Sequence, residues 1–388
     1  MEIHGKLLSE GMVQKGHSVT IISTRHPNGQ IFEEKKGVKI YYLKNTVFGS
    51  RRKRWKTESI DKFVELHKNR KFDVVWSQSF DAFGFTRSKK DALKVPIVAI
   101  LHGCLQQELK SFIANILNFK NNPQKTIKTF AGLFLTYLYV QRSLILISDK
   151  IISVSNEVAN SFAKLYGHKF IKKNLVVLNG VDTSQFYPPP TNIDAIRNEY
   201  ASDNTDVLLL ALGRITKEKG FHIAIEALNM LLQNNNANYK LLIVGDGEYL
   251  AQLKRKVRES KLEKNVLFTG FIENINTAKY YNSADIVLNP SLTAEGSSFV
   301  ALEAMACAKP VIASKTGGIN SIIKDKQNGL TVEPGDPHQL STQIALLSND
   351  RKLANRLAAS GRKAVLKEFS ADIMIDKTLE AMASIVPR

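Results

Sequence analysis

Two cysteines, Cys104 and Cys307, are all that the 388 residues contain. So few rule out a disulfide framework and favour a reducing compartment. Long apolar runs are missing too. The nearest, 130–147 (FAGLFLTYLYVQRSLILI), is broken by Gln141 and Arg142 and falls short of the ~20 residues that a spanning helix needs. It reads as a buried helix. No His/Cys group or carboxylate cluster has metal-ligand spacing, so no bound metal and no cofactor are expected. No secretory signal is seen at Met1, which leads directly into a mixed amphipathic helix.

Acidic residues are comparatively scarce. Fifty-four Lys and Arg against 36 Asp and Glu leave a net charge of +18, which speaks about partners rather than fold. No nucleic-acid motif accompanies the charge, so no nucleic acid is expected. Anionic membrane and phosphorylated substrates remain. Arg51, Arg52, Lys53, Arg54 and Lys56 surround Trp55, and Ile60, Phe63, Val64 and His67 follow on one helical face. Such a segment can rest on an anionic bilayer. At ~1 kcal/mol per basic residue, five give salt-reversible docking. The alternative is a solvated loop beside a core-facing helix.

Strand and helix patterns alternate from end to end, which predicts α/β architecture with parallel sheets. Strands are expected at 18–23, 38–43, 73–77, 97–101, 150–154 and 174–178. A second series is expected at 206–214, 240–247, 265–270, 284–289 and 310–314. Between the series lies the proline-rich YPPPTN, read as a linker.

The segment 290–318, PSLTAEGSSFVALEAMACAKPVIASKTGG, carries the most chemistry. A strand, a loop bearing Glu295, a helix bearing Glu303 and a second strand follow one another. In open parallel sheets, ligands bind where loops leave the carboxyl ends of strands. A helix N-terminus there attracts phosphate, and carboxylates accept hydrogen bonds from sugar hydroxyls. Together these describe a nucleotide sugar. Upstream, Arg214 and Lys219 follow another strand, flanked by Gly213 and Gly220. A guanidinium fork and an ammonium can clamp a diphosphate, and the glycines would let it approach the backbone. The plainer alternative is an exposed basic loop.

With KGHSVTII (15–22), AILHG (99–103), SVSNEV (153–158), LNGVDTSQFYP (178–188), LGRITKEKG (212–220), VGDGEYL (244–250) and FTGFI (268–272), the segment resembles the retaining glycosyltransferases of family 4. Each string is weak alone, but their order and spacing are specific. The resemblance implies a GT-B fold, in which two Rossmann-like doubly wound domains face a cleft. Residues 1–186 would form an acceptor-side domain, 187–204 a linker, and 205–369 the nucleotide-sugar domain. Residues 370–388 would form a helix returning to the first domain. Family members begin with a strand and a glycine-rich loop ahead of the first helix. This chain opens inside that helix, so Met1 is read as an internal methionine, with a divergent start as the alternative.

The resemblance also implies roles. His102 would orient the sugar, and Glu295 would hold donor-sugar hydroxyls near the reacting carbon. Glu303 would take the ribose. Backbone N–H groups of Ser298 and Phe299 would face the distal phosphate, beside Gly296 and Ser297. Gly245 and Gly247 would lie beneath the nucleotide, and the base near Phe271 and Ile272. The implied reaction is metal-independent hexosyl transfer with retention, by front-face displacement. The donor would be UDP- or GDP-linked, and the acceptor a glycan or lipid-linked saccharide at the inner membrane face. For the stretch 130–147, read above as a buried helix, a cradle for such a lipid is the alternative. The enzyme would be cytoplasmic, with peripheral membrane contact. Three positions depart from the family pattern. Gly296-Ser297-Ser298 replaces Gly-Phe-Gly, Ala308 stands where glycine is common, and Asn320-Ser321 replaces a pair ending in glutamate. A nucleotide-sugar epimerase and a catalytically silent binding module stay open as alternatives.

Overall fold

The structure, a computed structural model, describes residues 2–47, 54–85, 93–103, 138–189, 194–200, 207–234 and 238–387. The chain forms two compact units, Met1–Leu178 with Ala371–Arg388, and Asn179–Ser370.

In the first unit, β1 (Thr20–Ser23), β2 (Phe32–Lys35) and β3 (Val38–Tyr42) form one sheet in the order β1-β3-β2. The antiparallel pair β2–β3 turns through Lys36 and Gly37, both left-handed at φ 50° and 76°, as a two-residue hairpin requires. A separate parallel sheet holds β4 (Val75–Gln78), β5 (Ile97–Leu101), β6 (Lys150–Ser153) and β7 (Asn174–Val176), in that order. Among the described residues, β1 pairs only with β3 and β4 only with β5, so each is an edge strand. Every residue of β5 is buried, which suits an apolar run flanked by strands on both sides.

The helix Glu2–Gln14 turns His4, Leu8, Ser9, Gly11 and Met12 inward, at helical spacing. The helix Ala371–Ala383 packs against it. Gly11 leaves room there for the Ile375 side chain, which a β-carbon would displace, and Lys15 Nζ meets Asp376 Oδ1 at 2.7 Å.

One expectation needs correcting. In the helix Trp55–Asn69, the residues Trp55, Ile60, Phe63 and His67 are buried in the unit's own core. Trp55 Nε1 donates to the Asp81 carbonyl at 2.9 Å. The apolar face that a membrane would have needed is therefore already used. Arg54 and Lys56 are exposed beside it, while Arg51, Arg52 and Lys53 lie outside the described residues. Of the run 130–147, residues 130–137 also lie outside. The helix 138–147 buries Leu144, Ile145 and Ile147 and exposes Tyr139 and Leu146. No helix among the described residues is long and apolar enough to cross a membrane.

Among the described residues the second unit holds six parallel strands: β8 (Val207–Leu212), β9 (Tyr239–Val244), β10 (Val266–Gly270), β11 (Ile286–Asn289), β12 (Val311–Ser314) and β13 (Leu330–Val332). Their order is β10-β9-β8-β11-β12-β13. The chain winds outward from β8 in one direction, then from β11 in the other. The sheet thus has a switch point between β8 and β11, where a crevice opens at the carboxyl ends. The proline-rich stretch does not separate the units. It follows Phe186, which is buried edge-on against Tyr281 inside the second unit, and Asn282 Nδ2 donates to the Tyr187 carbonyl at 3.0 Å.

Candidate active site

The loops leaving β8 and β11 carry the groups singled out in the sequence, and the switch point brings them together. Lys219 closes a short 3-10 turn after β8, and its Nζ lies 2.8 Å from Glu295 Oε1 on the loop after β11. Arg214 is exposed on the same β8 loop. Ser291 Oγ also donates to Glu295 Oε1. The reading as an exposed basic loop does not hold for Lys219, which is half-buried and paired.

A polar path continues from Glu295 into the protein. Ser291 Oγ reaches Asn289 Oδ1 at 3.5 Å, and Asn289 Nδ2 donates to Ser298 Oγ at 2.9 Å. Ser298 caps the helix Phe299–Ala306, its Oγ accepting from the Ala301 N–H at 3.3 Å. A serine N-cap satisfies one of the orphan donors of a first turn. The other N–H groups of that turn keep the partial positive charge that favours an anion. Asn289 and Ser291 were not singled out from sequence. The available signal was a polar residue closing the apolar strand ADIVLN at its carboxyl end.

Glu303 is not a solvated acid. It is 3 % exposed, and both its oxygens accept hydrogen bonds: Oε1 from Asn274 Nδ2 at 3.1 Å and Oε2 from Tyr281 Oη at 2.7 Å. Burial raises its pKa to about 7, against the opposing pull of those two donors. Burial also pushes the Tyr281 hydroxyl well above its ordinary value, with the Glu303 charge adding to it. The Cys307 thiol is pushed up to about 12 by burial and then by Glu303. Each carboxylate oxygen can accept more than one hydrogen bond, so its acceptor capacity is not exhausted by these two donors. Asn274 is held in turn by Gln185 Nε2, which donates to its carbonyl at 2.8 Å.

The glycines do something other than expected. The loops along the carboxyl edge are stitched together by backbone bonds, among them Leu292 N–H to Glu218 O (2.7 Å), Ile215 N–H to Asp246 O (2.8 Å) and Gly318 N–H to Glu295 O (2.7 Å). A β-carbon at Gly220 would overlap the Pro290 carbonyl, and one at Gly245 the Gly213 carbonyl. Gly247 abuts Ile215, while Gly317 and Gly318 abut the backbone of Glu295 and Gly296. These glycines let loop approach loop. Gly213, by contrast, has open space where its β-carbon would be.

Phe271 follows β10 at the same edge and is 74 % exposed, with Ile272 half-buried beside it. Gly296 is buried and Ser297 half-buried. Phe299 begins the capped helix and is half-buried. His102 lies in the first unit, just after β5, where its Nε2 lies 2.6 Å from Gln78 Oε1. No cluster of His, Cys, Asp or Glu among the described residues could hold a metal ion.

The second unit is thus a doubly wound sheet with a cation–carboxylate pair and a capped helix at its switch point, the place where such sheets bind ligands. Two family models together span nearly the whole chain: Glycosyltransferase Family 4 over residues 1–185 and Glycosyl transferases group 1 over 192–364. The chain belongs to the family 4 glycosyltransferases, of GT-B fold. It is 25 % identical over 384 residues, 98 % of this chain and 93 % of the other, to an uncharacterized glycosyltransferase of Methanocaldococcus jannaschii. An alpha-monoglucosyldiacylglycerol synthase of Streptococcus pneumoniae is 26 % identical, covering 84 % of this chain and 70 % of its own. The crystal structure of Anabaena HepE in complex with UDP-glucose superimposes with a TM-score of 0.72 at 21 % identity. That match covers 90 % of this chain and 87 % of the other, and it shows the fold.

Proposed function

We propose that this glycosyltransferase moves a hexosyl unit, with retention, from a UDP- or GDP-linked sugar to a glycan or lipid-linked saccharide. The observation that carries the reading is the pairing of Lys219 with Glu295 at the switch point, beside the Ser298-capped helix. Lys219 and Arg214 would neutralise the diphosphate without a metal ion. The N–H groups of the capped helix would face the distal phosphate as leaving-group charge grows. Glu295 would hold sugar hydroxyls and Glu303 the ribose, with the base near Phe271 and Ile272. His102 is assigned to the reacting sugar by resemblance. The relatives support the coarse activity, and the lipid named by the Streptococcus relative is the reason to try lipid acceptors first. A cytoplasmic enzyme at the inner membrane face, held by the charge of the 51–56 segment alone, completes the proposal.

A thermal-shift screen of nucleotide sugars tests the donor. A ligand at a hundred times its Kd adds ~2.7 kcal/mol, and a shift by none of the UDP- or GDP-linked sugars would sink the reading. Product analysis with the donor found then separates transfer from its rivals. Conversion of the donor without any acceptor marks an epimerase, and binding with no turnover marks a silent module.

A further inference from the structure

Both oxygens of Glu303 are gripped from a single helix. Asn274 and Tyr281 belong to the helix Asn274–Ser283, where they lie about two turns apart on one face. Asn274 Nδ2 is 3.1 Å from Glu303 Oε1, and Tyr281 Oη is 2.7 Å from Oε2. Tyr281 is fully buried, and among the described residues its hydroxyl bonds to Glu303 alone. We propose that Tyr281, seated by Gln185 and Phe186, is a positioning residue of the donor site that holds the Glu303 carboxylate ready for the ribose.

A carboxylate at this depth is costly to ionise, and hydrogen bonds to its charged form offset part of that cost. Burial raises the Glu303 pKa, and the Tyr281 and Asn274 bonds oppose the rise. Phenylalanine would fill the same space, so the hydroxyl is the part of Tyr281 that packing does not require. Beside the carboxyl on its own helix side, Cys307 is a neutral thiol, and the Lys309 and Arg362 charges act on that thiol.

The support comes from distant stretches of the same unit. Gln185 Nε2 donates to the Asn274 carbonyl at 2.8 Å. A backbone carbonyl only accepts, so the amide is oriented by chemistry there. Phe186 meets the Tyr281 ring edge-on, with centroids 5.9 Å apart. Arg362, on the helix Arg351–Glu368, joins the two sides. Its Nη1 donates to the Phe186 carbonyl at 3.1 Å and to that of Ala306, the last residue of the Glu303 helix, at 2.7 Å. One guanidinium thus seats Phe186 against Tyr281 and closes the helix that carries Glu303. The tyrosine and the carboxyl are fixed from both ends.

The inference rests on the proposed ribose role of Glu303, and the experiment separates the two. Carboxyl carbon spectra of glutamate-labelled full-length protein follow the Glu303 titration with or without a ligand. Tyr281→Phe removes a donor to the charged form, so Glu303 should titrate at a higher pH than in wild type. Calorimetry then compares UDP and GDP with their 2′,3′-dideoxy analogues. Tyr281→Phe should weaken whichever nucleoside diphosphate the wild type binds by roughly tenfold and leave the affinity for its dideoxy analogue unchanged. Gln185→Met, which loosens Asn274, should act in the same sense on both readouts and serves if Tyr281→Phe does not fold. An unshifted Glu303 titration in the folded variants overturns the proposal. An equal loss for both ligands also overturns it, because that marks a general disturbance rather than a positioned carboxylate. So does full affinity in both variants while Glu303→Gln loses the part that depends on the hydroxyls. If Glu303 titrates as stated but Glu303→Gln costs nothing that depends on the hydroxyls, Tyr281 still positions the carboxylate and it is the ribose reading that fails.

Discussion

Lys219 Nζ and Glu295 Oε1 stand 2.8 Å apart across the switch point, one on the loop after β8 and the other on the loop after β11. The sequence assigns them to different parts of a ligand, the diphosphate and the sugar. The structure makes them partners. A donor entering this site must share the lysine with the carboxylate or draw it away.

Nucleotide-diphosphate affinity should therefore respond in opposite directions at the two positions. A charge-assisted hydrogen bond contributes ~1.5–3 kcal/mol, so Arg214→Ala and Lys219→Ala should each weaken binding roughly ten- to a hundredfold. Glu295→Gln releases the lysine from its carboxylate and should bind free nucleoside diphosphate at least as well as wild type. Calorimetric titration decides this, and equal affinities in all four proteins would remove the phosphate site.

Turnover should divide the two glutamates. Glu295→Gln is expected to depress kcat, because its proposed partner is the sugar in transit. Glu303→Gln is expected to raise the donor KM, because its proposed partner is the ribose. If the nucleoside diphosphate alone binds Glu303→Gln and wild type equally, the ribose assignment is wrong.

Stability should carry the mark of Glu303 as pH changes. The folded protein keeps this proton up to about pH 7, whereas the ordinary value is 4.5. Between those values the folded state binds more protons than the unfolded state, so stability falls as pH rises. The contribution is fully present below 4.5 and is lost as pH climbs through 7. Glu303→Gln does not titrate, so from pH 4.5 to 7.5 wild type should lose roughly 2–3 kcal/mol relative to it. Urea unfolding of both proteins at several pH values measures the difference. A flat difference, or one of opposite sign, refutes it.

Ala308 offers a test of local strain. The helix Phe299–Ala306 ends with Ala308 N–H donating to Met305 O at 3.0 Å and Lys309 N–H to Ala304 O at 2.9 Å. That is the hydrogen-bond pattern of a Schellman turn, which puts its residue in the left-handed region. Ala308 sits there at φ 53°. A side chain in that region costs roughly 1–2 kcal/mol, partly offset by the extra freedom that glycine loses on folding. Ala308→Gly should stabilise the protein by up to about 1 kcal/mol in urea unfolding. Destabilisation would show that the turn tolerates alanine without cost.

Much of this was legible in the chain itself, for reasons that particular residues make clear. Runs such as VLLLAL and IVAIL announce buried parallel strands because both faces must be apolar. The polar strand FEEK, which is β2, hides among loop residues, since an edge strand with one exposed face needs no such run. β13 is only three residues long. Glu295 and Glu303 were readable from their spacing, but the partners that tune them were not. Asn274 and Tyr281 reach Glu303 from a helix of unremarkable composition, and His4 reaches Gln78 across 74 residues. Such contacts depend on how elements pack, which no local pattern encodes. The glycines were noticed, yet what Gly220, Gly245 and Gly247 make room for is other loops.

The helix Ala371–Ala383 belongs to the unit that begins with Glu2–Gln14, so the whole second unit is an insertion between parts of the first. On the ribosome this reverses the usual order of completion. Residues 179–370 are an uninterrupted stretch and need no later part of the chain to close their own core. The first unit emerges earlier but lacks the helix that covers Gly11 and carries Ile375, Met374 and Met382 into its interior. It must wait, with that apolar surface open to chaperones, until the chain beyond the second unit has been made.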